Sequence, residues 1–269
     1  MVDEESVNDV IDCNICGHDS AHAFNARILQ KYSADFFHCF HCGYLRTPDP
    51  HWLDEAYSEA IASADTGLVQ RNLDLRRKCA PLLYFLFPNK ARFLDQAGGY
   101  GMFVRLMRDM GFDFYWEDKY CENLMARGFE AKPDQHFAAV TAFEVLEHIT
   151  DPLQFIEETL SSAHSETLIF STELFEGAAP RPGDWWYYTF ETGQHISFFQ
   201  HRTLEVIADR LGAQLLSDGS LHILSRREIN PMIFKVLTTR FLEPFLRVPL
   251  SIRMESLVSS DHEAALKLE

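Results

Sequence analysis

The sequence contains no run of about 18 apolar residues, so it predicts no membrane-spanning helix. It is short of positive charge: 24 Lys and Arg stand against 40 Asp and Glu, a formal net charge of −16. A surface of that sign repels a phosphate backbone, which excludes nucleic acid as the expected partner. The opening MVDEESVNDV lacks the apolar stretch of a secretory leader, and the expected location is cytoplasmic. Internal repeats and low-complexity segments are also missing. The closing Leu268-Glu269 reads as an expression-tag remnant and carries no argument.

What is present is enough to bury a sizeable core. Of 269 residues, 46% are apolar and 22 are Phe, which suits one large domain or a medium one with a small attachment. Cysteine is scarce but placed. Four of the six fall as two pairs, Cys13 and Cys16 in CNIC and Cys39 and Cys42 in CFHC, with 22 residues between the pairs. In a reducing compartment that spacing reads as metal ligands rather than disulfides. Four thiolates suit tetrahedral Zn²⁺ and leave no open position, so the expected metal is structural. His18, His22, His38 and His41 crowd the same region; they could substitute as ligands, and the expected roles are at its surface or in support of the ligands. Cys79 and Cys121 are expected to be small buried apolar residues.

Further along, strand and helix signals alternate. ARFLDQ, FDFYWED, FAAVTAF and ETLIFSTE read as buried strands. Phe103, Leu106, Met107 and Met110 form a helical stripe closed by Gly111, and ENLMARG reads as a short helix closed by Gly128. Asp151, Pro152 and Gln154 mark a helix start. Leu204, Ile207, Ala208 and Leu211 share one helix face, and Asp218-Gly219 marks a hairpin. Alternation of this kind implies an α/β fold: a doubly wound, mostly parallel sheet with an antiparallel terminal hairpin. The expected organisation is a four-cysteine zinc module at 1–58, a helical linker at 59–89, a cofactor-binding core at 90–227 and a helical tail at 228–269. The tail mixes Arg227, Lys235, Arg240, Arg247 and Arg253 with large apolar residues. Pro244 and Pro249 should break it into pieces. Core packing or a homo-oligomer contact is expected of it, with a membrane surface as the other option.

The stretch LDQAGGYG ends the first buried strand just where such sheets bind ligands. A dinucleotide loop wants G-x-G-x-x-G, but Met102, Phe103 and Val104 follow Gly101. Asp95 would also repel a pyrophosphate. S-adenosylmethionine (SAM) has no phosphate, and its ammonium welcomes a carboxylate. A second acid should close the next strand about 20 residues on and take the ribose hydroxyls. Asp118 is favoured over Glu117, which would point to the other face.

With the glycine loop, WEDKY and FAAVTAFEVLEHITDP, residues 90 to 225 resemble the class I SAM-dependent methyltransferases. The resemblance implies a cofactor site of Asp95, Ala97, Gly99, Gly101, Asp118 and Phe143. Ala97 stands where the family usually has its first glycine, and a slightly altered turn is expected. Ala138 stands where an Asp is common, which leaves the adenine contact undefined. The Cys pairs ahead of this core resemble the zinc modules of sugar C-methyltransferases, in which the module helps cover the acceptor. Tyr57, in HWLDEAYSEAI, would then face the acceptor or pack in the core.

An oxygen or carbon acceptor must lose a proton, and two histidines are available. His148 in EVLEHITDP lies just past the fourth strand, and His195 in ETGQHISFF follows the aromatic run DWWYYTF. His195 matches the general base of the sugar C-methyltransferases, although Gln194 replaces their preceding Glu. Glu144 is expected near the methionine end of SAM or the acceptor, and Glu147 in a loop or helix cap. Trp185, Trp186, Tyr187 and Tyr188 would form a stacking platform or pack a long insertion. The resemblance therefore implies methyl transfer to a small molecule, a sugar or nucleotide-sugar. The alternatives are a non-catalytic zinc-bearing interaction module on a degenerate methyltransferase fold, or a nicotinamide-dependent oxidoreductase.

Overall fold

The computed structural model describes residues 10–57 and 66–267. The acidic start, Ser58 to Ile61 of the HWLDEAYSEAI segment, and Leu268-Glu269 lie outside the described residues. In chain order the strands are β1 (Val10–Asp12), β2 (Asp19–Ile28), β3 (Tyr32–His38), β4 (Leu45–Arg46), β5 (Arg92–Gln96) and β6 (Asp113–Glu117). They continue as β7 (Ala139–Phe143), β8 (Thr167–Ser171), β9 (Ser197–Phe198), β10 (Gln214–Ser217) and β11 (Leu221–Ser225). The α-helices are α1 (Leu53–Ala56), α2 (Leu68–Leu86), α3 (Met102–Arg108), α4 (Pro152–Ser162), α5 (His201–Leu211), α6 (Pro231–Thr238), α7 (Glu243–Arg253) and α8 (Val258–Ala265).

Two compact units emerge. The first gathers Met1–Glu59, Glu144–Phe155 and Thr172–Leu211. Its sheet runs β1-β2-β3-β4-β9, antiparallel throughout. β2 and β3 form a long hairpin whose turn holds Leu29 and Gln30 at φ 52° and 56°. That left-handed pair matches the twist of the flanking strands. Phe36, Leu45, Trp52, Tyr187, Tyr188, Ile196 and Phe198 fill the unit's core. Trp52 donates its indole N–H to the Gly193 carbonyl at 2.8 Å, so this large side chain is buried without an orphaned donor.

The second unit holds the sheet β10-β11-β8-β7-β5-β6. β8, β7, β5 and β6 are parallel, and the terminal hairpin adds β11 antiparallel to β8. The expected doubly wound, mostly parallel sheet is borne out. The chain leaves β5 for β6 on one side and later returns to β7 on the other. The crevice at the carboxyl ends of β5 and β7 is therefore the switch point where such sheets bind ligands. Phe103, Val104 and Met107 of α3 bury their stripe with Phe93, Phe114 and Ile169 of the sheet. α2 ends at Leu86, because Pro88 pushes Phe87 into extended backbone at ψ 158°. Cys79 is fully buried, whereas Cys121 is only half-buried.

Two local readings need correction. Residues 122–128 form an irregular stretch of bends ending in a turn rather than a helix. Asn123 accepts from the Ala126 N–H at 2.9 Å and donates to the Ala126 carbonyl at 2.8 Å, and this local bonding displaces the helical ladder. Pro249 does not break the tail, for it sits within α7, while Pro244 serves the first turn. The tail is clasped at its far end. Arg108 of α3 makes a bidentate pair with Asp261 of α8, both contacts 2.8 Å and both side chains buried.

Candidate functional site

In the second unit, β5 delivers Asp95 and the loop that follows it. Ala97, Gly99 and Gly101 all have positive φ, at 55°, 54° and 82°. An alanine so placed is strained, which gives the irregularity at Ala97 a physical form. Gly98 is required for space: an added Cβ would meet the Asp95 carboxylate at 2.8 Å and the Trp116 ring at 3.0 Å. Gly101 is equally confined, by Asn123 at 2.8 Å. The loop is stapled to the end of β6. Asp118 accepts from the Gly99 N–H at 2.9 Å, and Trp116 donates to the Gly99 carbonyl at 2.8 Å. Asp118 also accepts the N–H groups of Tyr120 and Cys121, at 2.7 and 2.8 Å. It thus organises both the glycine loop and the turn after β6, while Glu117 is exposed.

Asp95 is 3% exposed and accepts from the Thr141 hydroxyl at 2.6 Å. Burial pushes its carboxyl up to about 7, against the opposing Thr141 bond, and the nearby Asp118 charge pushes the same way. Phe143 closes β7 and packs edge-on against Phe103, centroids 4.9 Å apart. The structure thus brings Asp95, Ala97, Gly99, Gly101 and Asp118 together at the carboxyl ends of β5 and β6, with Phe143 at the end of neighbouring β7. Gly98 and Trp116 complete this loop architecture, and sequence reasoning missed both. The adjacent glycine pair was the available signal for the first.

In the first unit, Tyr57, His148 and His195 come together from distant parts of the chain. The His148 and His195 rings lie 4.8 Å apart at 82°, and Tyr57 stands edge-on to His148 at 6.1 Å. His148 donates from Nδ1 to the Gln194 carbonyl at 3.0 Å, and His195 from Nδ1 to the Tyr187 carbonyl at 2.6 Å. Since a carbonyl can only accept, each neutral ring carries its proton on Nδ1 and its lone pair on Nε2. Gln194 also donates to the Ala56 carbonyl at 3.0 Å, which ties α1, and with it Tyr57, to this cluster.

Glu147 is the residue sequence reasoning misplaced. It is no exposed loop or cap carboxylate but 0% exposed. It sits with His148 and His195 in a group whose donor atoms lie within 4.8 Å of one another. Tyr187 donates its hydroxyl to Glu147 at 2.7 Å, and the Ile196 N–H donates to the Glu147 carbonyl at 2.8 Å. Burial, aided by the negative charge of Glu144, raises the Glu147 carboxyl to about 8, and the Tyr187 bond opposes the shift. Glu144 has φ 54°, a left-handed conformation that costs a non-glycine residue energy. Of the aromatic run, Tyr187 and Tyr188 are core residues at 2% exposure, whereas Trp186 is 72% exposed.

The four paired cysteines also converge, their sulfurs within 4.8 Å of one another. Sγ of Cys13 lies 3.6 Å from that of Cys42, and Cys16 lies 3.5 Å from Cys39. The two knuckles repeat one another. Gly17 donates to the Cys13 carbonyl and Gly43 to the Cys39 carbonyl, both at 2.7 Å and both glycines with φ near 75–79°. α5 seats against both knuckles: Thr203 donates to the Cys42 carbonyl at 2.8 Å, and Arg210 to the Ile15 carbonyl. The hydrogen bond with Cys42 holds the Cys13 thiol well below its ordinary value, at about 5, against the opposing effect of burial. Tetrahedral Zn²⁺ takes four thiolates at about 2.3 Å, and the four converging sulfurs of Cys13, Cys16, Cys39 and Cys42 fit that donor set. His18 and His41 stack on each other at 3.6 Å and are exposed, and His38 is buried nearby.

A family model described as a methyltransferase domain matches residues 70–218, more than half the chain. No curated protein gives a significant match. Among solved structures, TnmH is 15% identical over 65% of this chain and 61% of its own, with a TM-score of 0.45. The chain thus spans less than two thirds of that protein. The magnesium protoporphyrin IX methyltransferase ChlM from Synechocystis, solved with bound SAM, is 12% identical over 66% of this chain and 93% of its own, with a TM-score of 0.39. An O-methyltransferase family 2 protein from Planctomyces limnophilus, solved with apigenin, is 13% identical over 65% of each chain, with a TM-score of 0.41. The family match runs across the glycine loop and most of the doubly wound sheet, and the chain belongs to the methyltransferase-domain family.

Proposed function

We propose that this enzyme methylates a sugar or nucleotide-sugar and that His195 is its general base, with His148 and Tyr57 at the acceptor. The observation that carries the reading is the pair of fixed imidazoles. Both Nδ1 atoms are committed to carbonyls, so both basic nitrogens are Nε2 before any acceptor arrives. That preorganisation is what a base needs to take a proton without rearranging. Tyr57 would hydrogen-bond or stack on the acceptor, and Glu144 would bind it or the methionine end of the cofactor.

When bound, SAM supplies an electrophilic methyl on a sulfonium, and S-adenosylhomocysteine leaves. Asp95, whose carboxyl is pushed up to about 7 by burial, would ionise to meet the ammonium. The glycine loop from Gly99 to Gly101 would run beside the methionine end of the cofactor, and Asp118, which holds that loop through the Gly99 N–H, would face the ribose. Ala97 and Phe143 would flank the cofactor. His195 Nε2 would take the proton from the acceptor's O–H or acidic C–H as the new bond to the methyl carbon forms. The four-cysteine site of residues 13–42 would carry structural Zn²⁺, which suits a reducing, cytoplasmic setting.

The test is label transfer from methyl-labelled SAM to a panel of nucleotide-sugars. Product is expected with the wild type, and His195→Ala should lower kcat by about 10²–10⁴ with little change in SAM affinity. An equally active His195→Ala enzyme would refute the base assignment. Absence of SAM binding by calorimetry would refute the whole reading.

A further inference from the structure

We propose that α6, α7 and the turn between them form a membrane-surface contact that takes a bilayer bearing anionic phospholipid. Each helix is apolar on two faces, and only one is used internally. Phe234, Leu237 and Leu250 are buried in the core of the second unit. Met232, Phe241, Phe245 and Ile252 are 76%, 88%, 74% and 76% exposed. Phe245 and Ile252 lie seven residues apart, two turns along one face of α7. Phe241 sits in the short turn Arg240–Leu242 that joins the two helices. Four large apolar side chains so exposed within 21 residues exceed the scattered exposure normal for a soluble surface.

Charge chooses the occupant. From Arg226 to Arg253 the sequence carries six Lys and Arg against two Asp and Glu, within a protein of net charge −16. Lys235 and Arg253 are exposed beside the apolar residues. A second copy meeting this face through two-fold symmetry would set basic segment against basic segment. An anionic lipid surface satisfies both features, since headgroups pair with the cations while the aromatic and aliphatic tips enter the acyl boundary. At 8 and 11 residues the helices can lie in the interface but cannot span a bilayer, and no described helix is long and apolar enough to do so. The inference stands on the tail alone and is independent of the acceptor assigned above.

Co-sedimentation of the full chain with phosphatidylcholine vesicles, with and without about 30% phosphatidylglycerol, tests it. Binding should be at least about tenfold stronger to the anionic vesicles and should weaken with added salt. The variant Phe241→Ser/Phe245→Ser/Ile252→Ser should lose that binding, and Lys235→Glu/Arg253→Glu should weaken it. SAM affinity and thermal midpoint serve as controls for folding. Equal binding to neutral vesicles would overturn the charge argument. No vesicle binding, with a dimer that the triple substitution dissociates, would assign the face to a second copy and overturn the proposal.

Discussion

Replacing Glu147 with Gln probes the least expected group in the first unit. Its carboxyl moves from 4.5 in the free chain to about 8 in the folded protein, because burial opposes ionisation. Folding therefore takes up a proton between those values. The stability this carboxyl allows is complete below its unfolded value and is lost as pH rises through about 8. One such proton tilts stability by about 1.4 kcal/mol per pH unit. From about pH 5 to about pH 7 the loss is roughly 2–3 kcal/mol. Gln has the same shape, keeps an oxygen for the Tyr187 hydroxyl and cannot ionise. Urea unfolding of zinc-loaded wild type and Glu147→Gln, followed by tryptophan fluorescence across that range, should give curves that meet at the acid end. They should then diverge, the variant being the more stable by roughly 2–3 kcal/mol near neutrality. Asp95 titrates in the same window, up to about 7, but does so in both proteins and cancels in the difference. Curves separated by a constant offset would show that Glu147 keeps its ordinary carboxylate behaviour, and the reasoning would fail.

Three further outcomes are expected. Ala97→Gly relieves the φ of 55° and should raise stability by up to about 1 kcal/mol while leaving SAM affinity within about threefold; a tenfold weaker affinity by calorimetry would give the methyl group a positive role. SAM binding near pH 6 should release a proton as Asp95 ionises, so wild-type binding enthalpies should differ between buffers of different ionisation enthalpy, whereas those of Asp95→Asn should agree; buffer-independent wild-type enthalpies would refute the ammonium role. Elemental analysis should find one zinc per chain, and Cys13→Ser should lower both zinc content and thermal midpoint; a metal-free wild type with an unchanged midpoint under chelator would count against the structural metal.

Much of the fold was legible because its signals are local. The capping of α4 is set within four residues: Asp151 accepts from the Gln154 N–H at 3.0 Å, with Pro152 opening the helix. The α5 stripe buries Leu204, Ile207, Ala208 and Leu211 as its spacing predicts, and Asp218 caps the hairpin turn through the Ser220 and Leu221 N–H groups. What escaped depends on distant partners. Glu147 is buried because Tyr187, 40 residues on, supplies its donor. Gly98 is confined by Trp116 of the next strand. Residues 122–128 carried a helical pattern, yet one asparagine side chain claimed the backbone instead. Of the proposed acceptor group, the residue types could be read in advance, whereas the imidazole tautomers rest on the carbonyls of Gln194 and Tyr187, which no spacing reveals.

The pairing of β4 with β9 has a bearing on how this chain can be taken apart. Leu45 and Arg46 find Phe198 and Ser197, so the first sheet to be begun waits for a strand about 150 residues further along the chain. A fragment ending near residue 58 would carry β4 as a bare edge and would lack the α5 contacts that seat both cysteine knuckles, an invitation to self-pairing. The N-terminal segment is therefore no detachable cassette. Grafting it onto a related enzyme would require carrying residues 172–211 with it, and nascent chains must shelter that edge until about 150 further residues have been made.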